Sequence, residues 1–429
     1  MPLTRYSTAR NAWGDCERLS CPRSREARMR ISLKRVSVVA VALVVAAGLV
    51  ACGGSSSNKK SSATTTGGNA SNISASAFTS DFSAMSQLKG LASQGKGLVG
   101  VLLPDTTTSA RYVSFDAPYL TKAFQTAGFT QFKIDNAQGS ASTMQTQAEA
   151  DITSGASVLL VDPLDSGSGA AIEQNATSKG VKVIDYDRLT KGGPADRVYV
   201  SFDNVKVGKA IGDGFVQCVK DWKVAKPNVI VMNGDPTDNN AGLFSQGYHS
   251  VLDPLFSNGS YVKVSEPAGT WTPSVAQTTF AQQYTAHPNI NSAVTPNDDN
   301  ANAVIAYLQG KQVKAKTFPT TGQDASKSGL QNILKDYQCG TVYKPIYLEA
   351  QAAAATALYL RAGQAPPSGL VNATTKDTQT NTDVKSAYLT PTWVTIANMA
   401  QTVVKDGAVK VTDICVAETQ AACTSAGIK

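Results

Sequence analysis

The chain has 429 residues, 42% apolar and 17% charged, too long for one ordinary core and apolar enough to build two. Its formal charge of +7 is concentrated at one end: the first 51 residues hold nine Lys/Arg and three Asp/Glu, and the 30 basic and 29 acidic residues that follow nearly balance. That excludes the basic footprint of a nucleic-acid-binding protein. The two histidines, His249 and His287, are not in H-x-x-H settings, which argues against a His-based zinc site or triad, and no metal or cofactor is expected.

Met29 to Cys52 reads MRISLKRVSVVAVALVVAAGLVAC, a basic start followed by an apolar run from Val36 to Ala51. The run is short for a membrane span of ~20 residues and ends in small side chains, the pattern of a secretory signal. Leu49-Val50-Ala51-Cys52 resembles the bacterial lipobox, which implies lipid modification of Cys52 as the first residue of the mature chain. A plain apolar anchor helix is the alternative. The 28 residues before this signal are unusual, so translation is expected to start at Met29. Residues 1–51 are therefore assigned to the signal region, and the Gly/Ser/Thr/Asn-rich stretch 52–95 to a flexible tether with too little apolar content to fold. The expected location is the outer face of the cell membrane, held by lipid.

Four cysteines remain, Cys218, Cys339, Cys415 and Cys423, and an even number outside the cell fits two disulfides. The close pair Cys415–Cys423, clipping the C-terminal tail, is preferred. Cys218–Cys339 is the second expected pair, and four unbridged core cysteines are the alternative.

From Gly97 apolar strands alternate with helical patterns. GLVGVLLP (97–104), FKIDNA (132–137), SVLLVDP (157–163), VKVIDY (181–186) and VYVSFD (198–203) read as strands, with helices between the first four. A second series follows: NVIVMNGDP (228–236), YVKVSEP (261–267), NSAVTPND (291–298) and KTFPTTGQD (316–324). A long Ala-rich helix, YLEAQAAAATALYLRAG, spans 347–363. Near-continuous apolar strands joined by helices predict an α/β chain with two doubly wound parallel-sheet lobes.

Polar residues collect at the strand ends, at Asp105 to Arg111, Asp187-Arg188, Asp238-Asn239-Asn240, Asn297-Asp298, Gln323-Asp324 and Lys344. Ligands of open parallel sheets bind outside the carboxyl ends of the strands. Each residue alone also reads as a helix N-cap, Asp298 and Asp324 in particular. The repetition of the pattern in both series points to one ligand edge.

The segments LLPDTTTSARYVSFDAPYL, YDRL, YVSFDNVKVG, GDPTDNNAGLFSQG, TPNDDNANAVIA, TGQDASKSGLQNI and TVYKPIYLEA occur in this order. Together, over about Gly97 to Gly407, they resemble the periplasmic-type sugar-binding proteins of ABC importers, type I solute-binding proteins of the D-xylose-binding subgroup. The resemblance implies two lobes joined by a three-segment hinge near Asp203-Asn204, Lys344-Pro345 and Leu389-Pro391. The N-terminal lobe would be 97–203 plus 345–390 and the C-terminal lobe 204–344 plus 391–429. It implies that Arg111, Asp187, Arg188, Asn239 with its neighbour Asp238, Asn297, Asp324 and Lys344 contact the sugar and that Trp271 stacks on it. Tyr112 is a second candidate for the apolar sugar face.

These residue types suit a monosaccharide. Carboxylates accept from hydroxyls, Arg and Lys donate, Asn does both, and an aromatic ring covers the C–H face. The expected partners are thus a monosaccharide such as xylose or a similar aldose, an ABC permease and a lipid anchor, without nucleic acid, for a monomeric chain. The alternative is a sugar sensor presenting its loaded form to a membrane kinase or chemoreceptor. An enzyme is not expected. Asp187 and Asp324 are an available carboxylate pair for glycoside hydrolysis, but no His base or G-x-S-x-G nucleophile motif accompanies them. The export signal and the lack of a helix-turn-helix argue against a sugar-responsive repressor of similar lobes.

Overall fold

A computed structural model of the protein describes residues 72–429 apart from 107, 108 and 110. The signal region and Cys52 lie outside the described residues. The strands are β1 (Leu98–Leu103), β2 (Phe132–Asn136), β3 (Ala156–Val161), β4 (Lys182–Tyr186), β5 (Val198–Phe202), β6 (Asn228–Val231), β7 (Val262–Ser265), β8 (Ser292–Val294), β9 (Thr341–Tyr343), β10 (Ala373–Asp377), β11 (Thr382–Leu389) and β12 (Thr392–Val394).

Seven of them form one sheet in the order β10-β11-β5-β4-β3-β1-β2, parallel except for β10 against β11. Alternation along each strand separates its two faces. Val99, Val101, Leu103, Val158, Leu160, Ile184 and Val200 face the Ala-rich helix Ile346–Arg361 and the helix Ala117–Thr126. Leu102, Leu159, Val161 and Val183 face the helices Ala141–Thr153 and Ser166–Ser178. With both faces covered, β5 is buried along its whole length and β3 along most of its own, and β3 reads as a near-continuous apolar run. The alanines 350, 352–355 and 357 are all buried, and their small side chains let the helix lie close to the sheet.

The second lobe has the parallel sheet β7-β6-β8 and the antiparallel pair β9–β12. The expected strand 316–324 is reduced to two isolated bridges, Ala293 with Thr320 and Gln323 with Val342. Pro319 has no N–H to continue a ladder there. The chain passes between the cores three times: from β5 into the helix Asn204–Asp221, from β9 into Ile346–Arg361, and from β11 into β12. Cys218 is bonded to Cys339, tying the helix Asn204–Asp221 to the approach to β9, and Cys415 to Cys423 in the tail. The tail packs Met399, Val403, Ile414 and Ile428 on Leu330, Ile333 and Leu334 of the second lobe.

The tether reading of 52–95 fails for its described part. From Ile73 onward the chain is packed on the first lobe, with a 3-10 turn Ser83–Leu88 running into a short helix Lys89–Ala92. Phe82, Met85 and Leu88 are fully buried. The Phe82 ring lies 5.7 Å from that of Tyr119, and Arg361 NH1 donates to Ala92 O and Gln94 O at 3.1 and 2.6 Å. Apolar residues three apart, at 82, 85, 88 and 91, form one stripe that the Ser-rich composition conceals.

A second buried feature fastens the β10–β11 hairpin. Arg197 donates to Asp185 Oδ2 at 2.7 Å and Asp377 Oδ2 at 3.0 Å, and Glu173 Oε2 is 3.7 Å from its Nε. All four side chains are buried, so one guanidinium faces three carboxyls. Burial, then the Asp185 charge and a hydrogen bond given to Asp185, push the Glu173 carboxyl well above its ordinary value. Folding therefore favours the protonated form of Glu173.

Two outcomes follow. Phe82→Ala lowers unfolding free energy by about 3–5 kcal/mol in chemical denaturation, the cost of emptying a packed aromatic site, whereas a free tether would show no loss. With its carboxyl raised in the folded state, Glu173 binds more proton there than in the unfolded chain, so its contribution to stability falls as pH rises above the ordinary glutamate value of 4.5. Glu173→Gln, measured by denaturation midpoints from about pH 5 to about pH 8, has a shallower fall than the wild type. Identical slopes would contradict the protonated pair.

Candidate functional site

Both lobes direct their strand exits at one cleft. On the first lobe, β1 leads to Arg111 and a π-helical turn Tyr112–Asp116, and β4 leads to Asp187-Arg188. On the second, Asp238 caps the helix Asn239–Ser257 by accepting from Asn240 N at 2.9 Å. Asn297 caps Asp298–Gly310 in the same way, accepting from Asn300 N at 3.0 Å. Asp298, a candidate cap, is instead the first residue of that helix, and Asp324 precedes a helix capped by Ser326. Lys344 follows β9.

Two site residues have left-handed backbone, Asp187 with φ 59° and Asp324 with φ 92°. Such φ is uncommon for a non-glycine residue and persists only where neighbours enforce it. For Asp187 they are visible. Its carbonyl accepts from Ser201 Oγ at 2.8 Å, Asn240 Nδ2 at 2.9 Å and Tyr199 OH at 3.0 Å.

Arg111 is the centre of the first-lobe wall. It donates to Asp116 through Nε and NH2 at 3.0 and 2.7 Å, to Asp187 Oδ1 at 2.9 Å and to Glu349 Oε2 at 2.9 Å. Arg111 and Asp116 are five residues apart, a separation that a π-helical turn suits. Tyr186 OH adds a 2.6 Å hydrogen bond to Asp116. Burial pushes Glu349 up to about 8 even beside Arg111, because the same guanidinium already faces Asp116 and Asp187. Asp187 goes the other way. Burial opposes its charge, but Arg111, Lys344 and Arg188 outweigh it and hold the carboxyl below the usual range.

Arg188 reaches across the cleft. Its NH1 donates to Pro163 O at 3.2 Å and its NH2 to Tyr112 OH at 3.0 Å, while Nε lies 3.3 Å from Asp238 Oδ2 and 3.5 Å from Asp162 Oδ1. Asp238 Oδ2 also accepts from Trp271 Nε1 at 3.0 Å, which orients the indole, and the benzo edge of Trp271 packs against Gly234. A Cβ at Gly234 would occupy the space of that ring. Lys344 Nζ lies 3.4 Å from Asp187 and 3.6 Å from Asp324, linking the lobes a second time.

Of the residues expected at the site, Arg111, Tyr112, Asp187, Arg188, Asp238, Trp271, Asn297, Asp324 and Lys344 line this cleft together. Asn239 does not. The first helical turn that Asp238 caps rotates Asn239 outward and brings Asn240 to the lining, where Asn204 Nδ2 donates to it at 2.9 Å. Recognising Asp238 as the cap would have made that choice from sequence. Ser109, Phe244 and Gln323 also line the cleft and were not singled out as contacts. Asp116, Glu349 and Asp162, buried behind the lining, carried no sequence signal that ties them to it.

The arrangement offers carboxylate acceptors, cationic donors, amides and one flat aromatic face in a buried space between lobes. Such groups suit hydrogen bonding to a polyhydroxylated ring. The periplasmic binding protein domain model matches residues 99–365. The chain is 34% identical over 279 residues to the D-xylose-binding periplasmic protein of Escherichia coli (strain K12), covering 64% of this chain and 80% of that one. It is 30% identical over 267 residues to the multiple sugar-binding periplasmic receptor ChvE of Rhizobium radiobacter, covering 58% and 73%. Among solved structures, a carbohydrate transporter solute binding protein from Chloroflexus aurantiacus in complex with D-glucose superposes with a TM-score of 0.65 at 27% identity, covering 74% of this chain and 98% of that one. The domain model spans more than half of the chain, and the chain belongs to the periplasmic binding protein family of type I fold.

Proposed function

We propose that the protein is the extracytoplasmic receptor of an ABC-type sugar importer and binds a monosaccharide, xylose or a similar aldose, between its lobes. The observation that carries this reading is the convergence of Asp187, Arg188 and Arg111 from one lobe with Asp238, Trp271, Asn297, Asp324 and Lys344 from the other on a single cleft. The 34% identity to a D-xylose-binding relative supports the sugar class. It is a binding protein, not an enzyme, as its relatives are. The lipobox-like Leu49 to Cys52 supports attachment of Cys52 to lipid on the outer face of the membrane.

In this reading Asp187, Asp238 and Asp324 accept from sugar hydroxyls, Arg111, Arg188 and Lys344 donate to ring and hydroxyl oxygens, Asn297 and Asn240 do both, and Trp271 covers one face of the ring. Each hydrogen bond to a charged group contributes about 1.5–3 kcal/mol, and a sugar lacking one hydroxyl leaves a buried group unpaired. Contacts to both lobes exist only in the closed form, so the sugar shifts the hinge equilibrium toward closure.

A thermal-shift screen over pentoses and hexoses is expected to show a rise in melting temperature with D-xylose or a related aldose. Ligand at about 100 times its Kd adds about 2.7 kcal/mol. No shift with any pentose or hexose would overturn the sugar reading. Asp187→Ala, measured by calorimetric titration of that sugar, weakens binding by at least ~2 kcal/mol because Arg111 and Lys344 lose their shared partner. Unchanged affinity would remove Asp187 from the site.

A further inference from the structure

Asp162 ends the strand run of β3 and is fully buried, yet neither carboxyl oxygen has a hydrogen-bond partner. It does not line the cleft. Its nearest charged neighbour is Arg188 Nε at 3.5 Å, the same atom that lies 3.3 Å from Asp238. One guanidinium nitrogen thus stands between two carboxyls, one from each lobe. They are not equivalent. Asp238 accepts from Asn240 N at 2.9 Å and Trp271 Nε1 at 3.0 Å, which offset part of the burial that raises its carboxyl. Asp162 has no such donor, and an unpaired buried carboxylate is costly.

We infer that Asp162 is a positioning residue: it holds Arg188 while the cleft is open and yields it to Asp238 when the cleft closes. This rests on the sugar-receptor reading above. Opening carries Asp238 away with the second lobe and admits water to the first-lobe wall. Arg188, otherwise left with the Tyr112 hydroxyl and the Pro163 carbonyl, then has Asp162 as its nearby anion, and the guanidinium stays aimed at the cleft. Closure gives Arg188 to Asp238, dries the wall and leaves Asp162 without a full counter-charge. Its carboxylate then takes one proton from the buffer and becomes a neutral carboxyl.

The groups facing Asp162 fit this exchange. Arg188 and Asp187 reach it from the end of β4, and Arg111, Tyr112 and Asp116 from the segment after β1. Burial raises the Asp162 carboxyl well above its ordinary value in the closed form, and the pull of Arg188 does not reverse it. The Asp187 and Asp116 charges add to the rise, and Arg111 opposes it. Because closure binds a proton, sugar affinity weakens as pH rises through the closed-form value.

The test is calorimetric titration of the full chain with D-xylose, or with the aldose that the thermal screen selects, in phosphate and in Tris at one pH. A second set runs from about pH 5 to about pH 8 in one buffer. The wild type is expected to take up between zero and one proton per sugar, read from the difference in heat between the buffers. D162N is expected to lose that uptake and to bind more tightly than the wild type at the alkaline end, by up to about tenfold per pH unit, with the two converging in acid. E349Q is expected to keep the uptake, which separates Asp162 from the other raised carboxyl of this wall even if D162N fails to fold. No uptake by the wild type, the same uptake in D162N, or loss of uptake in E349Q would each overturn the role of Asp162. Absence of heat and of thermal shift with every sugar would instead overturn the receptor reading on which it rests.

Discussion

Charge balance in the dry space between the lobes is the constraint on which the rest depends. Arg111, Arg188 and Lys344 are all buried, and each is shared among more than one carboxyl. Buried ions stabilise a fold only when geometry and further hydrogen bonds compensate lost hydration. Here the compensation is divided. Arg111 is satisfied within the first lobe, by Asp116, Asp187 and Glu349. Arg188 and Lys344 depend on carboxyls of the second lobe as well. Separating the lobes therefore breaks ion pairs, and a ligand that supplies replacement oxygens joins the same network.

The fold is arranged to make this possible. Parallel strands bring every carboxyl end to one edge, so residues far apart in sequence meet there: Arg111 and Glu349 are 238 residues apart and pair at 2.9 Å. Glu349 rides on the first turn of the helix that begins at the second crossing, so that helix carries part of the first-lobe wall. The two left-handed residues, Asp187 and Asp324, lie at corresponding strand exits of the two lobes. The strain at Asp187 is opposed by hydrogen bonds to its carbonyl from Tyr199 and Ser201 of its own sheet and from Asn240 across the cleft. Closure and backbone geometry at the site are thereby coupled.

Much of this was legible in the sequence because the central strands of both lobes are buried on two faces. Such strands are short apolar runs, and their polar ends stand out, which located Asp187-Arg188, Asp238, Asn297, Asp324 and Lys344 at one edge. Failures occurred where a local rule competed. Ile73, Phe82, Met85 and Leu88 sit in a Ser-rich stretch whose average composition reads as disordered, although the stripe they form packs on the first lobe. Asn239 and Asn240 differ by one helical step, and only the cap at Asp238 decides which faces inward. Asp116, Glu349 and Asp162 were invisible for another reason. Their role comes from partners at the ends of other strands and helices, and no pattern in one segment reports it.

The most direct measurement is a crystal structure of the protein grown with saturating D-xylose or the aldose selected by the thermal screen. The expected result is one sugar ring seated between the lobes against Trp271. Its hydroxyls lie within hydrogen-bond distance of Asp187 and Arg188 on one side and of Asp324 and Lys344 on the other. A cleft without sugar under those conditions, or a sugar bound away from these residues, would contradict the assignment.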